Sequence, residues 1–140
     1  MSDGMDFLKA IDIASSGLRA QAGRIRVISE NLANADSTAQ AAGGEPYRRK
    51  VPTFTSELDR KLDAHVVGIG RVKPDKSPFR TKHEPGNPAA DANGDVKYPN
   101  VNSLVEMTDM REAQRSYEAN LNVITATRRM IQRTLDILKA

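Results

Sequence analysis

The sequence of 140 residues contains no cysteine and no tryptophan, and aromatic residues make up only 4% of it. The absence of cysteine excludes disulfide bonds, thiolate metal sites and a cysteine nucleophile. Because apolar residues are concentrated near the two ends of the chain, the middle can bury only a small core. No apolar run reaches the length that a bilayer crossing requires.

The start of the chain lacks the basic and apolar segments of a cleavable secretory signal. It carries three acidic residues instead, Asp3, Asp6 and Asp12. If the protein leaves the cytoplasm, we therefore expect it to use a route that needs no signal cleavage.

Side chains that form reaction centres are also scarce. His83 is followed by Glu84 and a proline rather than by the second histidine that a helical zinc site needs. Gly68-Ile69-Gly70 lacks the third glycine and the following helix of a dinucleotide-binding fingerprint. No serine has the surroundings of a nucleophile elbow. The sequence therefore predicts no catalytic residue, no metal site and no cofactor, and we do not expect an enzyme.

The formal net charge is +3, and residues of opposite charge alternate along most of the chain. A basic run, Arg48-Arg49-Lys50, has only Tyr47 nearby to stack on a nucleic-acid base. Because a nucleic-acid interface usually shows a concentrated basic face, we interpret this run as an exposed strand edge that its charge protects from aggregation.

The most regular pattern lies between Val101 and Ala140. Apolar side chains recur there at steps of three and four, which place them on one face of a helix: Met107, Met110, Tyr117, Leu121, Ile124, Ile131, Leu135 and Leu138. Five of them, from Met110 to Leu138, are seven residues apart, the period of a left-handed coiled coil. A second row widens the apolar face: Val123, Met130 and Ile137.

Polar residues are expected on the apolar face of this helix and at its N-terminal cap. Gln114 and Arg128 lie on the apolar face, where polar residues fix register and partner number. We expect Asn102 or Ser103 as the N-cap, with Glu106 completing a capping box from Ser103.

The N-terminal pattern mirrors the C-terminal one. Between Met5 and Asn34, four apolar residues are seven apart, with small residues between them that allow a neighbouring helix to approach: Ile11, Leu18, Ile25 and Leu32. The helix is expected to end at Asn34–Thr38, where short polar side chains favour a chain reversal.

The sequence of the middle segment predicts short, irregular elements. They are a bend at Gly43–Pro46, a basic strand from Tyr47 to Phe54 interrupted at Pro52, one or two helical turns at Leu58 and Leu62, a strand at Val66–Val72, and a hairpin with its turn at Asn93-Gly94.

The predicted fold is mainly α. An N-terminal helix lies in residues 1–38, a loop-rich middle with short β-strands in residues 39–100, and a long C-terminal helix in residues 101–140. We expect the two helices to pair as a coiled coil.

Two functions fit these patterns. One is a structural subunit whose terminal helices pair with each other and with those of neighbouring subunits. The other is a regulator that dimerises through the long helix and binds nucleic acid through the basic middle. A regulator needs one apolar face per chain, whereas here both ends carry a wide one.

Several stretches resemble one protein family. Asn31-Leu32-Ala33-Asn34, followed by Thr38, is similar to the signature that closes the first helix of the bacterial flagellar axial proteins, the rod and hook subunits. The insert Ala39–Pro46 before Tyr47 is similar to the proximal-rod branch of that family. Three more stretches are similar to the same branch: Glu84–Ala89, Tyr98–Asn102 and Tyr117–Asn120.

The resemblance implies a structural subunit of the flagellar basal-body rod, the shaft that transmits torque for motility. It implies export through the flagellar type III apparatus without signal cleavage, partners that are copies of this chain and FlgB-, FlgF- and FliE-like rod proteins, and no cofactor, nucleic acid or membrane insertion. The residues expected to act in assembly are Asn31, Leu32, Asn34, Thr38, Tyr117, Asn120, Leu121, Ile124, Ile131 and Leu135.

Overall fold

A computed structural model of the chain describes residues 2–139, with side chains from residue 4 onward. The predicted helix end at Ala140 and the side chain of Asp3 therefore lie outside the described residues. Within them, two long helices flank six short strands: α1 Ser2–Ala33, β1 Lys50–Val51, β2 Phe54–Asp59, β3 Ala64–Ile69, β4 Lys73–Pro74, β5 Arg80–His83, β6 Asp95–Tyr98 and α2 Ser103–Lys139. The prediction of two terminal helices around a small strand-containing middle is confirmed.

The strands form three antiparallel pairs rather than one sheet. β1 pairs with β4, β2 with β3, and β5 with β6. A two-stranded ribbon is marginal in water when it stands alone, so each pair depends on the side chains packed around it. The predicted basic strand is confirmed only at the two residues of β1, because Phe54 begins the next strand.

The prediction of helical turns at Leu58 and Leu62 is wrong. Leu58 lies in β2 directly opposite His65 of β3, and Leu62 lies in the turn that joins the two strands. Six cross-strand residue pairs satisfy the backbone here, which outweighs a weak local preference for helix. The strand predicted at Val66–Val72 exists, but it begins and ends earlier, as β3.

The predicted hairpin is confirmed in its strands, β5 and β6, but its turn is not the two-residue turn expected at Asn93-Gly94. Residues 84–94 connect β5 to β6, and Gly94, with φ of 83°, occupies only the last turn of that loop. The Asp91 carboxylate shapes this turn, since its Oδ1 accepts hydrogen bonds from Asn93 N at 2.9 Å and Asp95 N at 3.0 Å.

Asn102 caps the N-terminus of α2. Its Oδ1 accepts hydrogen bonds from Leu104 N at 3.1 Å and Val105 N at 3.4 Å, as an N-cap side chain does. The alternative capping box from Ser103 to Glu106 is wrong, because the Glu106 carboxylate binds other residues.

The chain divides into two compact units. The first comprises the chain up to Ile25, Thr53–Gly70 and the chain from Glu112 onward; the second comprises Arg26–Pro52 and Arg71–Arg111. Each is described by itself below.

In the first unit, α1 and α2 run antiparallel. Arg24 Nη2 lies 3.5 Å from Glu112 Oε2, and a Cβ added at Gly17 would lie 2.9 Å from Asn120 Nδ2. Leu8 and Ile131 line one apolar groove nearer the chain ends. Residues of α1 with higher numbers therefore lie near residues of α2 with lower numbers, as in an antiparallel helix pair.

The β2–β3 hairpin also packs on α1 in this unit. Val67 N donates a 3.2 Å hydrogen bond to Ser16 Oγ, and a Cβ added at Gly23 would lie 2.7 Å from Ile69 Cδ1. Small residues on α1 thus allow close approach on two sides, by α2 at Gly17 and by the hairpin at Gly23.

Candidate assembly site

Asn31 is the centre of a hydrogen-bonded cluster at the end of α1, and it is only 1% exposed to solvent. Its Oδ1 accepts hydrogen bonds from Lys50 N at 2.9 Å and Tyr47 Oη at 2.8 Å. Its Nδ2 donates to Lys50 O at 2.8 Å and Glu106 Oε2 at 3.3 Å. All four hydrogen-bonding positions of the amide are therefore filled, and Lys50 is held through both of its backbone groups.

Glu106 completes this cluster from the first turn of α2 and is also 1% exposed. Its Oε1 accepts a hydrogen bond from Arg49 Nε. Burial alone lowers the pKa of Arg49, but the hydrogen bond and the charge of Glu106 raise that pKa above its usual value. Removing one member of a buried ion pair costs about 3–5 kcal/mol because the other charge is left unpaired. We call Asn31, Tyr47, Arg49, Lys50 and Glu106 the Asn31 cluster.

Neighbouring polar residues extend the cluster. Arg49 Nη1 donates to Asp75 Oδ2 at 3.2 Å, and Asn100 Oδ1 accepts from Arg49 N at 2.8 Å. The pKa of Asp75 lies below its usual value because the backbone and side chain of Ser77 donate hydrogen bonds to its carboxylate, and Arg49 adds to this effect. Burial raises the pKa of Tyr47. The cluster thus joins four distant parts of the second unit.

Asn34 has a different and smaller role from Asn31. Its Nδ2 donates a 2.8 Å hydrogen bond to Glu30 O, and its backbone O accepts from Ser37 N at 3.2 Å. These bonds close the last turn of α1. Leu32 and Thr38 are half-buried, and the described residues give the Thr38 side chain no hydrogen-bond partner. Asn34 therefore closes the end of the helix, and the expected role of Asn31, Asn34 and Thr38 in assembly stays a prediction.

The three basic residues of the run are engaged within the second unit. Arg48 Nη1 donates to Asp75 O at 2.8 Å, and the Arg48 guanidinium lies 4.1 Å from the centre of the Phe79 ring. Lys50 Nζ pairs with Glu30 Oε2 at 3.0 Å. These contacts hold Arg48 and Lys50 within the unit. The expectation that the run does not bind nucleic acid stays a prediction.

The insert before Tyr47 packs against the β5–β6 loop. Gly43, with φ of 69°, donates from its N to Ala89 O at 3.2 Å. A small core lies beneath it: Ala89, Val96 and Tyr98, with Ala39 and Ala90 against them. Tyr98 Oη donates to Glu84 Oε2 at 2.9 Å. Hydrogen bonds from Asn87 and from Tyr98 lower the pKa of Glu84.

The buried face of α2 contains two interleaved rows. The first is the predicted row of residues seven apart, of which four are half-buried: Met110, Tyr117, Ile124 and Ile131. The fifth, Leu138, is 76% exposed, so the prediction that it lies on the buried face is wrong for the single chain. The second contains polar or small residues that are buried or half-buried: Glu106, Ala113, Asn120 and Thr127. The small residues of this second row suit the close approach of α1 at Gly17.

Apolar residues are exposed on both sides of this buried face. The first flanking row, Met107, Leu121 and Leu135, is 45–53% exposed, and the second, Val123, Met130 and Ile137, is 46–75% exposed. Of the residues expected to act in assembly, Tyr117, Asn120, Ile124 and Ile131 therefore lie on the buried face. Leu121 and Leu135 remain exposed in the single chain. The assembly role of all these residues stays a prediction.

Sequence reasoning missed Arg49 and Glu106 as partners of Asn31. The available signal was Glu106 itself, an acidic residue placed seven residues before the buried Ala113 on the same helical row. Asp75 and Asn100 carried no sequence signal, because only the folded backbone brings them near Arg49.

Two family models match parts of this chain, and both describe flagellar basal-body rod proteins. A family model described as "Flagella basal body rod protein" matches residues 11–40, and one described as "Flagellar basal body rod FlgEFG protein C-terminal" matches residues 92–137. Neither described helix has the length and apolar character needed to cross a membrane.

Full-length relatives agree with these matches. The chain is 55% identical to the flagellar basal-body rod protein FlgC of Agrobacterium fabrum, covering 97% of this chain and 99% of the relative. It is 41% identical to FlgC of Salmonella typhimurium, covering 95% and 98%, and 36% identical to FlgC of Bacillus subtilis, covering 96% and 100%. Similarity at this level over nearly the whole of both chains shows that the protein belongs to the FlgC family of flagellar basal-body rod proteins.

Proposed function

We propose that this chain polymerises through its two terminal helices to form the proximal part of the flagellar rod, a shaft that transmits torque for motility. As a member of its family, the chain is a structural rod subunit of the flagellar basal body and not an enzyme. We propose how the subunits polymerise, where along the rod this subunit lies and which proteins are its neighbours.

The observation that carries this proposal is the pair of exposed apolar rows on α2. Each row holds three large apolar side chains that are roughly half exposed or more. Covering what remains exposed yields about 1 kcal/mol for each side chain and about 3 kcal/mol for each row. Because the rows lie on opposite sides of the buried face, two different neighbours can cover them.

Within one subunit, we propose that α1 and α2 pair as an antiparallel coiled coil. The ion pair between Arg24 and Glu112, the close contact of Gly17 with Asn120 and the seven-residue spacing of apolar residues support this pairing. The terminal segments 1–38 and 101–140 then form the axial core, and segment 39–100 is the loop-rich middle with short strands. We expect the helix ends to be partly disordered before assembly and to become ordered on contact with neighbours.

The proposed partners are copies of this chain and neighbouring rod proteins of the FlgB, FlgF and FliE kinds. An open-ended shaft needs contacts between two different patches, since a self-complementary patch closes into a dimer. The two flanking rows have different residues and meet this condition. Export through the flagellar type III apparatus without signal cleavage, into a rod that spans the periplasm, belongs to the same proposal.

Torque transmission follows from packing. A shaft held by many long helical contacts resists twisting, because rotation of one layer must slide many close-packed rows at once. The Asn31 cluster would hold the bend where the chain leaves α1.

Three matched substitutions in α2 test the proposal. Ile124→Asp places a charge on the buried face, Met130→Asp places one on an exposed flanking row, and Thr125→Asp places one at an exposed position beside Ile124. Each variant replaces the native protein in the cell, and its amount is measured in purified basal bodies and in the exported fraction, together with swimming motility.

We expect Ile124→Asp and Met130→Asp to be exported but absent from basal bodies, with loss of motility, while Thr125→Asp assembles and swims. Because Met130 is 54% exposed in the single chain, its substitution separates assembly from folding. Assembled, rotating flagella in the Ile124→Asp and Met130→Asp strains would refute polymerisation through these helix faces.

A further inference from the structure

Several strand edges of the second unit are covered within the subunit. The Asn31 side chain bonds to both backbone groups of Lys50 in β1, and Asp91 bonds to both backbone groups of Asp95 in β6. The residue that β4 turns outward, opposite Lys50, is Pro74, which has no N–H. Proteins protect strand edges in such ways because an open edge pairs with other chains.

β2 has an edge that its own subunit leaves open. Backbone hydrogen bonds alternate in direction along an antiparallel strand, and Gly70 N donates to Thr53 O at 2.6 Å just before β2 begins. The same alternation turns Val67 N of β3 outward, where it bonds to Ser16 Oγ. Three residues of β2 therefore turn their N–H and C=O groups away from β3: Phe54, Ser56 and Leu58. Among the described residues, no hydrogen bond meets these groups.

β5 has a shorter open edge. Glu84 N donates to Gly94 O at 2.9 Å, so the alternation turns the backbone groups of Thr81 and His83 away from β6. Within the described part of the chain, these groups likewise have no hydrogen-bond partner. All four residues of β5 and five of the six in β2 are exposed, so a neighbouring strand can reach both edges.

The two open edges are complementary in charge. β2 carries two acidic residues and no basic one, Glu57 and Asp59, whereas β5 carries Arg80 and Lys82 and no acidic residue. Glu57 and Lys82 are exposed, and neither has an ion-pair partner among the described side chains. Opposite charges directly across a strand pair stabilise it.

The open backbone groups and these charges favour one register. An antiparallel pair with Glu57 opposite Lys82 brings the outward backbone groups of the two strands together. It also aligns Asp59 with Arg80. A parallel pair with Glu57 opposite Lys82 would instead align Asp59 with Glu84, and like charges directly opposite destabilise a strand pair. The antiparallel register is therefore favoured.

We propose that β2 of one copy adds to the open edge of β5 in a neighbouring copy as an antiparallel strand, with Glu57 opposite Lys82. Because two different edges meet, the contact repeats in an open-ended assembly, whereas β2 paired with itself closes a two-fold dimer. This inference rests on the proposed polymerisation and specifies a contact between neighbouring subunits outside their helices. Two residue pairs exchange backbone hydrogen bonds in this contact, too few to hold a dimer in solution.

Because the chain has no cysteine, introduced cysteines report the contact without background. Leu58 lies directly opposite Thr81 in the proposed register, and both residues are exposed. The double variant Leu58→Cys/Thr81→Cys replaces the native protein, basal bodies are purified, and copper phenanthroline is added to form disulfides.

The matched control is Leu58→Cys/Lys97→Cys. Lys97 is exposed and lies opposite Thr81 within the subunit. It is therefore one strand further from the neighbouring β2, at roughly 10 Å, whereas a disulfide needs Cα atoms within about 7 Å. Each single variant is a second control.

The expected result is a ladder of dimers and larger species in the Leu58→Cys/Thr81→Cys variant, because each copy uses its two cysteines with different neighbours. The Lys97 control and both single variants are expected to stay largely monomeric. An equal ladder in the Lys97 control would overturn the register. Dimers of the Leu58→Cys single variant at the same yield would show that β2 meets β2 and would overturn the inference.

A charge exchange gives an independent readout that a folding defect does not explain. Lys82→Glu places a carboxylate opposite Glu57 of the neighbour, so we expect at least a several-fold smaller amount of protein in basal bodies. Addition of Glu57→Lys to the same chain is expected to restore most of it. A Lys82→Glu variant that assembles fully, or one that Glu57→Lys does not rescue, would contradict the strand contact.

The failure of this inference and that of the proposed function are distinguishable. Basal bodies that contain the double cysteine variant without a ladder would overturn the strand contact and leave polymerisation through the helices standing. Absence of the wild-type protein from basal bodies would overturn the proposed function as well.

Discussion

Replacing Asn31 with alanine removes one side chain and leaves four groups without their partner: Lys50 N, Lys50 O, Tyr47 Oη and Glu106 Oε2. Tyr47 is half-buried and can turn to water, and Glu106 keeps its bond to Arg49. The two backbone groups of Lys50 each lose their bond to the Asn31 side chain. With the small cavity that is left, we expect the free energy of unfolding to fall by about 3 kcal/mol.

Asn34→Ala is the matched control, because it removes an asparagine from the same helix turn but only one side-chain hydrogen bond, to Glu30 O. We expect it to cost about 0.5–1.5 kcal/mol. Urea unfolding of both full-length variants, followed by far-UV circular dichroism, gives the two free energies. Hydrogen exchange at the Lys50 amide locates the effect, and its protection is expected to be lost in Asn31→Ala alone.

Equal unfolding free energies for the two variants would refute this reasoning, as would a Lys50 amide that stays protected in Asn31→Ala. Either result would mean that the Asn31 side chain does not hold the segment after the bend. The Asn31→Asp variant adds a test of charge, since a carboxylate there faces Glu106 and Lys50 O. We expect it to be at least as destabilising as alanine.

Further predictions concern the helix cap, acid stability and the helix contact. Asn102→Ala is expected to lower the free energy of unfolding by about 1 kcal/mol and Ser103→Ala by much less, because only Asn102 caps α2 in the structure; urea unfolding separates them. Since the folded-state pKa of Asp75 is lowered, its contribution is present above the unfolded pKa and is lost as pH falls through the folded value. The Asp75→Asn variant should therefore lose less stability than the wild type between pH 7 and pH 3, and equal losses would contradict this. Gly17→Ala is expected to raise the free energy of unfolding by about 1 kcal/mol in an Asn120→Ala background, because alanine favours the helix more than glycine does. In the wild type the new Cβ meets Asn120, so no gain is expected there. Equal effects in both backgrounds would rule out the close contact.

The regular spacing of apolar residues made both helices predictable. Met110, Tyr117, Ile124 and Ile131 were found from their seven-residue period, and they do lie on the buried face of α2. The accompanying row with Ala113 and Thr127 could not be found in this way, because its residues are small or polar. Asn120 of the same row meets α1 closely at Gly17, and such a contact depends on two helices that are far apart in the sequence.

Glu106 shows why the assembly site was only partly predictable. Its position in the first turn of a helix favours a capping box, and the sequence alone offers no competing partner. In the structure, Arg49 and Asn31 bind its carboxylate from 57 and 75 residues away, and Asn102 takes the cap. Leu58 was misassigned for a related reason, because its pairing with His65 depends on a turn whose Asp63 has φ of 49°.

Oxidation of methionine by hydrogen peroxide tests the central claim most directly, because each flanking row of α2 contains one methionine. Met107 and Met130 are 53% and 54% exposed in the single chain, whereas Met110 is half-buried and serves as the internal reference. Mass spectrometry compares their oxidation rates in the purified subunit and in intact basal bodies. Burial of both rows by neighbours predicts at least tenfold slower oxidation of Met107 and Met130 in the basal body, and equal rates in the two samples would contradict it.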